Sequence, residues 1–152
     1  MKLVLLIFFA LAVSYSAFGQ TEQGIYLTVQ CAKKSQKHKV LISEKQVCLA
    51  PNPIILVKEF EEVSEMQRAG EKIWFDITVS NKAVQTLVQI SQNLSSSTFA
   101  FVVDEEVFSI FAASGLVVGR TFRFEGTGKH KSIFEDTQKK LKAAINRGTT
   151  PQ

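Results

Sequence analysis

From Ile73 to Val79 apolar and polar side chains alternate without interruption: Ile73, Phe75, Ile77 and Val79 on one parity, Trp74, Asp76 and Thr78 on the other. A period of two marks a strand with one face buried. Ser80 and Asn81 follow, a pair whose side-chain oxygens suit a helix N-cap. Ala83, Leu87, Ile90 and Leu94, with Val84 and Val88 beside them, then recur at helical spacing over about fourteen residues. A strand running directly into an amphipathic helix requires a sheet with a helix on its face.

The flanking residues extend this unit in both directions. Residues 25–32 alternate and carry β-formers, and short strands are expected at 40–42 and 46–49, in a hairpin with the first. Pro51 and Pro53 interrupt regular structure, because each removes a backbone donor and pushes its predecessor to an extended conformation. Residues 54–57 and 63–67 are ambiguous, and 59–68 fits a helical turn or an edge strand. Beyond the helix, Ser95-Ser96-Ser97 ends it, 98–103 and 107–113 read as strands about a tight Asp104-Glu105-Glu106 turn, and Ser114-Gly115 turns again. Residues 116–124 read as a further strand with Phe122 and Phe124 on one face. Ser132 and Glu135 have the spacing of a capping box, opening a last helix to about Asn146 that buries Phe134, Leu141, Ala144 and Ile145. The order is a β-hairpin followed by β-α-β-β-β-α. That implies an α+β fold, a largely antiparallel β-sheet with two helices on one face.

The amino terminus reads as an address. Met1-Lys2 is basic, residues 3–13 are an unbroken apolar run of eleven, and Ala17-Phe18-Gly19 has the small-x-small form of a cleavage site. These are the parts of a secretory signal peptide, and the run is well short of the roughly 20 residues of a spanning helix. We therefore expect residues 1–19 to be removed near Gly19-Gln20, leaving a periplasmic or secreted single domain over 20–148, a tail at 149–152 and no membrane span in the mature form. In an oxidising compartment Cys31 and Cys48, the only cysteines, either pair as a disulfide or stay as buried thiols.

The formal charge is +4, and it gathers at residues 33–39 and 129–147. Both clusters read as solvated surface. Export and the lack of interleaved aromatic residues for base stacking argue against nucleic acid.

Catalytic patterns fail one at a time. There is no G-x-S-x-G elbow and no H-E-x-x-H helix. Two cysteines and two distant histidines make no zinc site. Gly126-Thr127-Gly128-Lys129 resembles a phosphate loop only in part: Arg123 stands where the first glycine belongs, and His130 where a Ser or Thr belongs. His38 and His130 sit among lysines, as solvated histidines do. We therefore expect no enzyme activity and no cofactor or metal. The remaining polar candidates are Trp74 and Asp76 on the outward face of the central strand, and Asp104, Glu105 and Glu106 in the hairpin turn. They read either as a contact surface or as packing and turn chemistry.

Four features in order carry a family resemblance: Ile54-Ile55-Leu56 before Phe60-Glu61-Glu62-Val63; Trp74-Phe75-Asp76-Ile77-Thr78 before the 81–94 helix; Phe99-Ala100-Phe101-Val102-Val103-Asp104-Glu105-Glu106-Val107-Phe108-Ser109; and Phe122-x-Phe124-x-Gly126 before the last helix. Over about 53–145 the chain resembles the head subdomain of the first periplasmic loop of SecD, the protein-export membrane protein. Glu105-Glu106 stands where that family has Gly-Lys. The resemblance implies the fold and a capacity to contact extended polypeptide. It does not imply the proton-driven motor, which needs membrane helices. The expectation is a non-enzymatic protein-binding module accessory to protein export or envelope protein handling, whose partner is extended polypeptide or export machinery. The alternative is an inhibitor or immunity-type protein for one secreted enzyme.

Overall fold

The computed structural model describes residues 21–93, 97–112 and 119–148. The expected signal peptide, the tail, Ser95-Ser96 and the Ser114-Gly115 turn lie outside the described residues. The elements are β1 (Gly24–Val29), β2 (His38–Lys39), β3 (Gln46–Leu49), β4 (Ile55–Leu56), β5 (Phe60–Val63), β6 (Gln67–Ala69), β7 (Lys72–Val79), α1 (Asn81–Asn93), β8 (Thr98–Val103), β9 (Glu106–Ala112), β10 (Thr121–Thr127) and α2 (Lys131–Gly148). The fold is α+β as expected, and its antiparallel strands divide between two sheets.

The first sheet has the order β2-β3-β1-β8-β9, with β4 also on β1. It curls until its ends meet: Val40 bridges Val107 in parallel, and Leu41 N–H donates to the Val107 carbonyl at 2.8 Å. The curl encloses a small core of Tyr26, Val40, Ala100, Val102 and Val107. Burial pushes the Tyr26 phenol above its ordinary pKa, and its hydroxyl donates to the Glu22 carbonyl at 2.8 Å. Gly24 sits between β4 and β8, where a Cβ would lie 2.1 Å from the Ile55 carbonyl oxygen. That close approach of backbone to backbone requires glycine.

The second sheet has the order β10-β7-β5, with β6 also on β7. β5 and β6 are successive pieces of one interrupted edge. The interruption is Ser64, whose Oγ accepts from Asp76 N–H at 2.9 Å while its own N–H donates to the Asp76 carbonyl at 2.8 Å. β7 obeys its alternation, with Ile73, Phe75, Ile77 and Val79 buried. Ser80 caps α1, its Oγ accepting from Ala83 N–H at 3.2 Å, and Ala83 and Leu87 face the core.

Between the sheets lies the main core, and it is a phenylalanine cluster. Phe108 of β9 has ring neighbours Phe75, Phe101, Phe124 and Phe134 at 5.0–6.2 Å between centroids. A bulge puts it there. Phe101 pairs with Ser109 and Val102 with Val107, so Phe108 is the extra residue. The strict alternation of β9 is broken, Val107 turning into the curled sheet and Phe108 into the main core.

Two local expectations are corrected. Ser132 and Glu135 form no capping box, because a 3-10 turn at Gly128–His130 leads into α2 and Lys131 already has helical dihedrals. Ser132 therefore lies inside the first turn, and Glu135 pairs with Lys131 at 3.6 Å instead. The last strand also runs three residues further than expected, to Thr127, because β7 supplies pairing partners as far as Lys72.

The β8–β9 turn holds Asp104 at φ 52° and Glu105 at φ 67°. Both central residues are left-handed, as a type I′ turn demands, and the second position of such turns favours glycine. A side chain in that conformation costs about 1–2 kcal/mol, part of which glycine returns as unfolded-chain entropy. Glu105→Gly is expected to stabilise the domain by about 1 kcal/mol, a rise of roughly 3–4 °C in thermal melting. An unchanged or lower melting temperature would show that the turn is not strained.

Candidate functional site

The polar residues expected to form a contact surface fall into two separate places. Trp74 and Asp76 lie on the outer face of the second sheet, where the β10 register sets Arg123 opposite Asp76 and Glu125 opposite Trp74. Arg123 makes a two-pronged ion pair with Asp76, Nε to Oδ1 at 2.9 Å and Nη2 to Oδ2 at 3.0 Å. Its guanidinium also lies over the Trp74 ring, 5.2 Å from the centroid. The hydrogen bond to Asp76 holds the Arg123 guanidinium above its ordinary pKa. The indole Nε1 of Trp74 is buried and has no hydrogen-bond acceptor among the described residues.

Asp104, Glu105 and Glu106 lie at the hairpin end of the first sheet. Lys140 of α2 reaches them, 3.3 Å from Asp104 and 3.5 Å from Glu106, and meets Asp136 of its own helix at 2.8 Å. The hydrogen bond to Asp136, with help from Asp104, holds the Lys140 ammonium well above its ordinary range despite partial burial. Asp104 and Glu106 are thus tied to a helix, while Glu105 stays exposed. Sequence reasoning left Arg123 and Lys140 out of both groups. The signal for Arg123 is the parity of β10, since Arg123 and Glu125 stand opposite in phase to Phe122 and Phe124. That parity acquires a partner only once β10 is known to lie beside β7.

Cys31 and Cys48 form a disulfide, with Cα atoms 5.3 Å apart. It joins Cys31, two residues beyond the end of β1, to β3, next to the Val29–Cys48 register pair. The glycine-rich stretch beside His130 has a structural account. A Cβ on Gly126 would lie 2.5 Å from the Phe134 ring, and Gly128 N–H donates to the Glu71 carbonyl at 2.8 Å. Among the described residues no group of three or more His, Cys, Asp or Glu could hold a metal ion. No helix among them is long and apolar enough to cross a membrane.

One concave feature was not expected. A groove of about 440 Å³ lies between β9 and β10, lined by Ser109–Ala112 on one side and Thr121–Glu125 on the other. Among the described residues β10 is the outer strand of its sheet, and β9 pairs only with β8 along this stretch. Two strand edges belonging to different sheets thus face one space. Phe111, Phe122 and Phe124 give it an apolar lining, and the first two are only partly buried. The other end of the second sheet is engaged by α2. There Gln138 Nε2 donates to the Ser64 carbonyl at 2.5 Å, and Lys142 pairs with Glu65.

Comparison with family models, with curated proteins and with solved structures finds no match for this chain.

Proposed function

We propose that this chain is an exported, non-enzymatic protein-binding module that takes an extended segment of a partner polypeptide into the groove between β9 and β10. The observation that carries this reading is a pair of strand edges, unpaired among the described residues, that flank an apolar lining. An extended peptide satisfies such edges through its backbone amides and carbonyls, and alternate side chains enter the apolar lining. Main-chain pairing makes few demands on sequence, which suits a protein that handles many chains.

The other candidate edge, at residues 63–67, is less available, because Gln138 and Lys142 of α2 already hold it. The signal-peptide pattern supports the exported address, and the similarity to the SecD head supports a role beside protein export or envelope protein handling. The ion pairs that hold Asp76 to Arg123, and Asp104 and Glu106 to Lys140, fit scaffold roles.

The test uses a photo-crosslinking side chain placed at Phe111 or at Phe122, with reduced, carboxymethylated lactalbumin as a permanently extended probe. Both positions are expected to crosslink the probe, and a crosslinker at the exposed Lys82 of α1 is not. Phe122→Ser is expected to weaken probe binding by roughly tenfold, the scale of losing one apolar anchor. Crosslinking no better at the groove than at Lys82 would overturn the reading. Binding of a single secreted enzyme in a tight one-to-one complex, with no affinity for extended chains, would establish the inhibitor alternative in its place.

A further inference from the structure

The two basic clusters of the sequence meet different fates in the fold. On α2 three of the five cations are answered, Lys131 by Glu135, Lys140 by three carboxylates and Lys142 by Glu65, while Lys139 and Arg147 form no ion pair among the described residues. The other cluster lies between Cys31 and Leu49, in a lobe closed by the disulfide. It carries Lys33, Lys34, Lys37, Lys39 and Lys45, all exposed. None of the five forms an ion pair among the described residues.

The lobe holds one acid, Glu44, so its formal charge is +4, equal to that of the entire chain. The rest of the protein is electrically balanced. Geometry concentrates this charge further. β2 is only two residues long, a span of roughly 7 Å, and Lys37 and Lys39 flank its His38. Lys39 stands opposite Gln46, next to Lys45, and the disulfide holds the arm that bears Lys33 and Lys34 against β3. Like charges held together repel, and no direct ion pair among the described residues offsets them.

We propose that this lobe docks the protein onto an anionic lipid surface. Two observations favour a lipid plane over an acidic protein. The lobe's cations are all lysine, with no arginine between residues 31 and 49. Arginine's planar fork suits defined carboxylate pairs, whereas lysine is a hydrated point charge on a flexible stem that needs only a field of anions. The second observation is Val29. At 42% exposure it is the exposed large apolar side chain among the described residues, and it borders this lobe as the register partner of Cys48. An apolar side chain beside lysines can enter a headgroup layer while the ammoniums stay in its field. The lobe shares no residue with the β9–β10 groove, so the two readings stand or fall separately.

Co-sedimentation with lipid vesicles tests the proposal. The protein is expected to bind vesicles of phosphatidylcholine mixed with phosphatidylglycerol, to ignore pure phosphatidylcholine, and to be released at high salt as screening shortens the field. Each lysine near an anionic surface contributes on the order of fivefold to partitioning. The exposed triple variant Lys33→Gln, Lys34→Gln, Lys37→Gln is therefore expected to bind about a hundredfold more weakly. Lys129→Gln with Lys139→Gln, outside the lobe, should leave binding unchanged, and circular dichroism should be the same for all three proteins. Equal binding to neutral vesicles, or no loss in the triple variant, would overturn the proposal. So would binding to poly-glutamate in the absence of binding to the anionic vesicles, which would assign the lobe to an acidic protein.

Discussion

Replacing Phe108 by alanine is expected to destabilise the domain by about 4 kcal/mol, within the range for truncating a fully buried phenylalanine. Phe108 is fully buried and has four aromatic neighbours drawn from three places: β8, the β7–β10 pair and α2. Its removal leaves a cavity that these elements cannot close without shifting against one another, and the cavity adds to the lost transfer free energy. For a domain of this size the change corresponds to a fall of roughly 12–15 °C in melting temperature. Total stabilities of single domains are about 5–15 kcal/mol, so the variant should still fold at low temperature. Equilibrium urea unfolding of wild type and variant measures the difference, and Val29→Ala, at an exposed position, should change stability by no more than about 0.5 kcal/mol. A loss below about 1.5 kcal/mol for Phe108→Ala would mean that Phe108 is not the link between the two sheets.

Breaking the Cys31–Cys48 disulfide, by reduction or as Cys31→Ser with Cys48→Ser, is expected to cost about 3 kcal/mol. The two cysteines are 17 residues apart, and the chain-entropy account of such a loop gives about that value. The effect should be uneven. β2 and β3 are held by two register pairs between them, two from β3 to β1, and the Val40–Val107 bridge. The phenylalanine core lies elsewhere and keeps its contacts. Hydrogen exchange should therefore accelerate from His38 to Leu49 and stay slow in β7 and β8. The melting temperature should fall by roughly 10 °C. A uniform rise in exchange across both sheets, or a fall below about 2 °C, would contradict this division.

Much of the candidate site was not legible locally. Asp76 was visible as an outward residue of an alternating strand, yet its partner Arg123 lies 47 positions on. Asp104 and Glu106 were visible as turn carboxylates, but Lys140 reaches them from a helix that begins more than twenty residues later. The β9–β10 groove is further from view, because it exists only where the edges of two different sheets face each other. A window of adjacent residues reports whether a face is buried and carries no record of what buries it.

What the residues determined by themselves is the local grammar of the chain. Alternation at residues 73–79 dictates β7 and its buried face, Ser80 begins α1, and Thr98–Val103 with its Asp-Glu turn makes the β8–β9 hairpin. The tertiary structure decided the rest. Strand pairing divides the chain between two sheets, the Val40–Val107 bridge curls the first of them, and the bulge at Phe108 gives β9 a side chain for each core. Long-range pairing also decided which lysines of the basic clusters meet carboxylates, since those that reach Lys140 and Lys142 of α2 come from its own turns, from β5–β6 and from the β8–β9 hairpin. Among the described residues no carboxylate pairs with the lysines of the Cys31–Cys48 lobe. The physical reason is that propensity and periodicity act over a few residues, whereas packing and ion pairing depend on which distant segments the chain brings within a few ångströms.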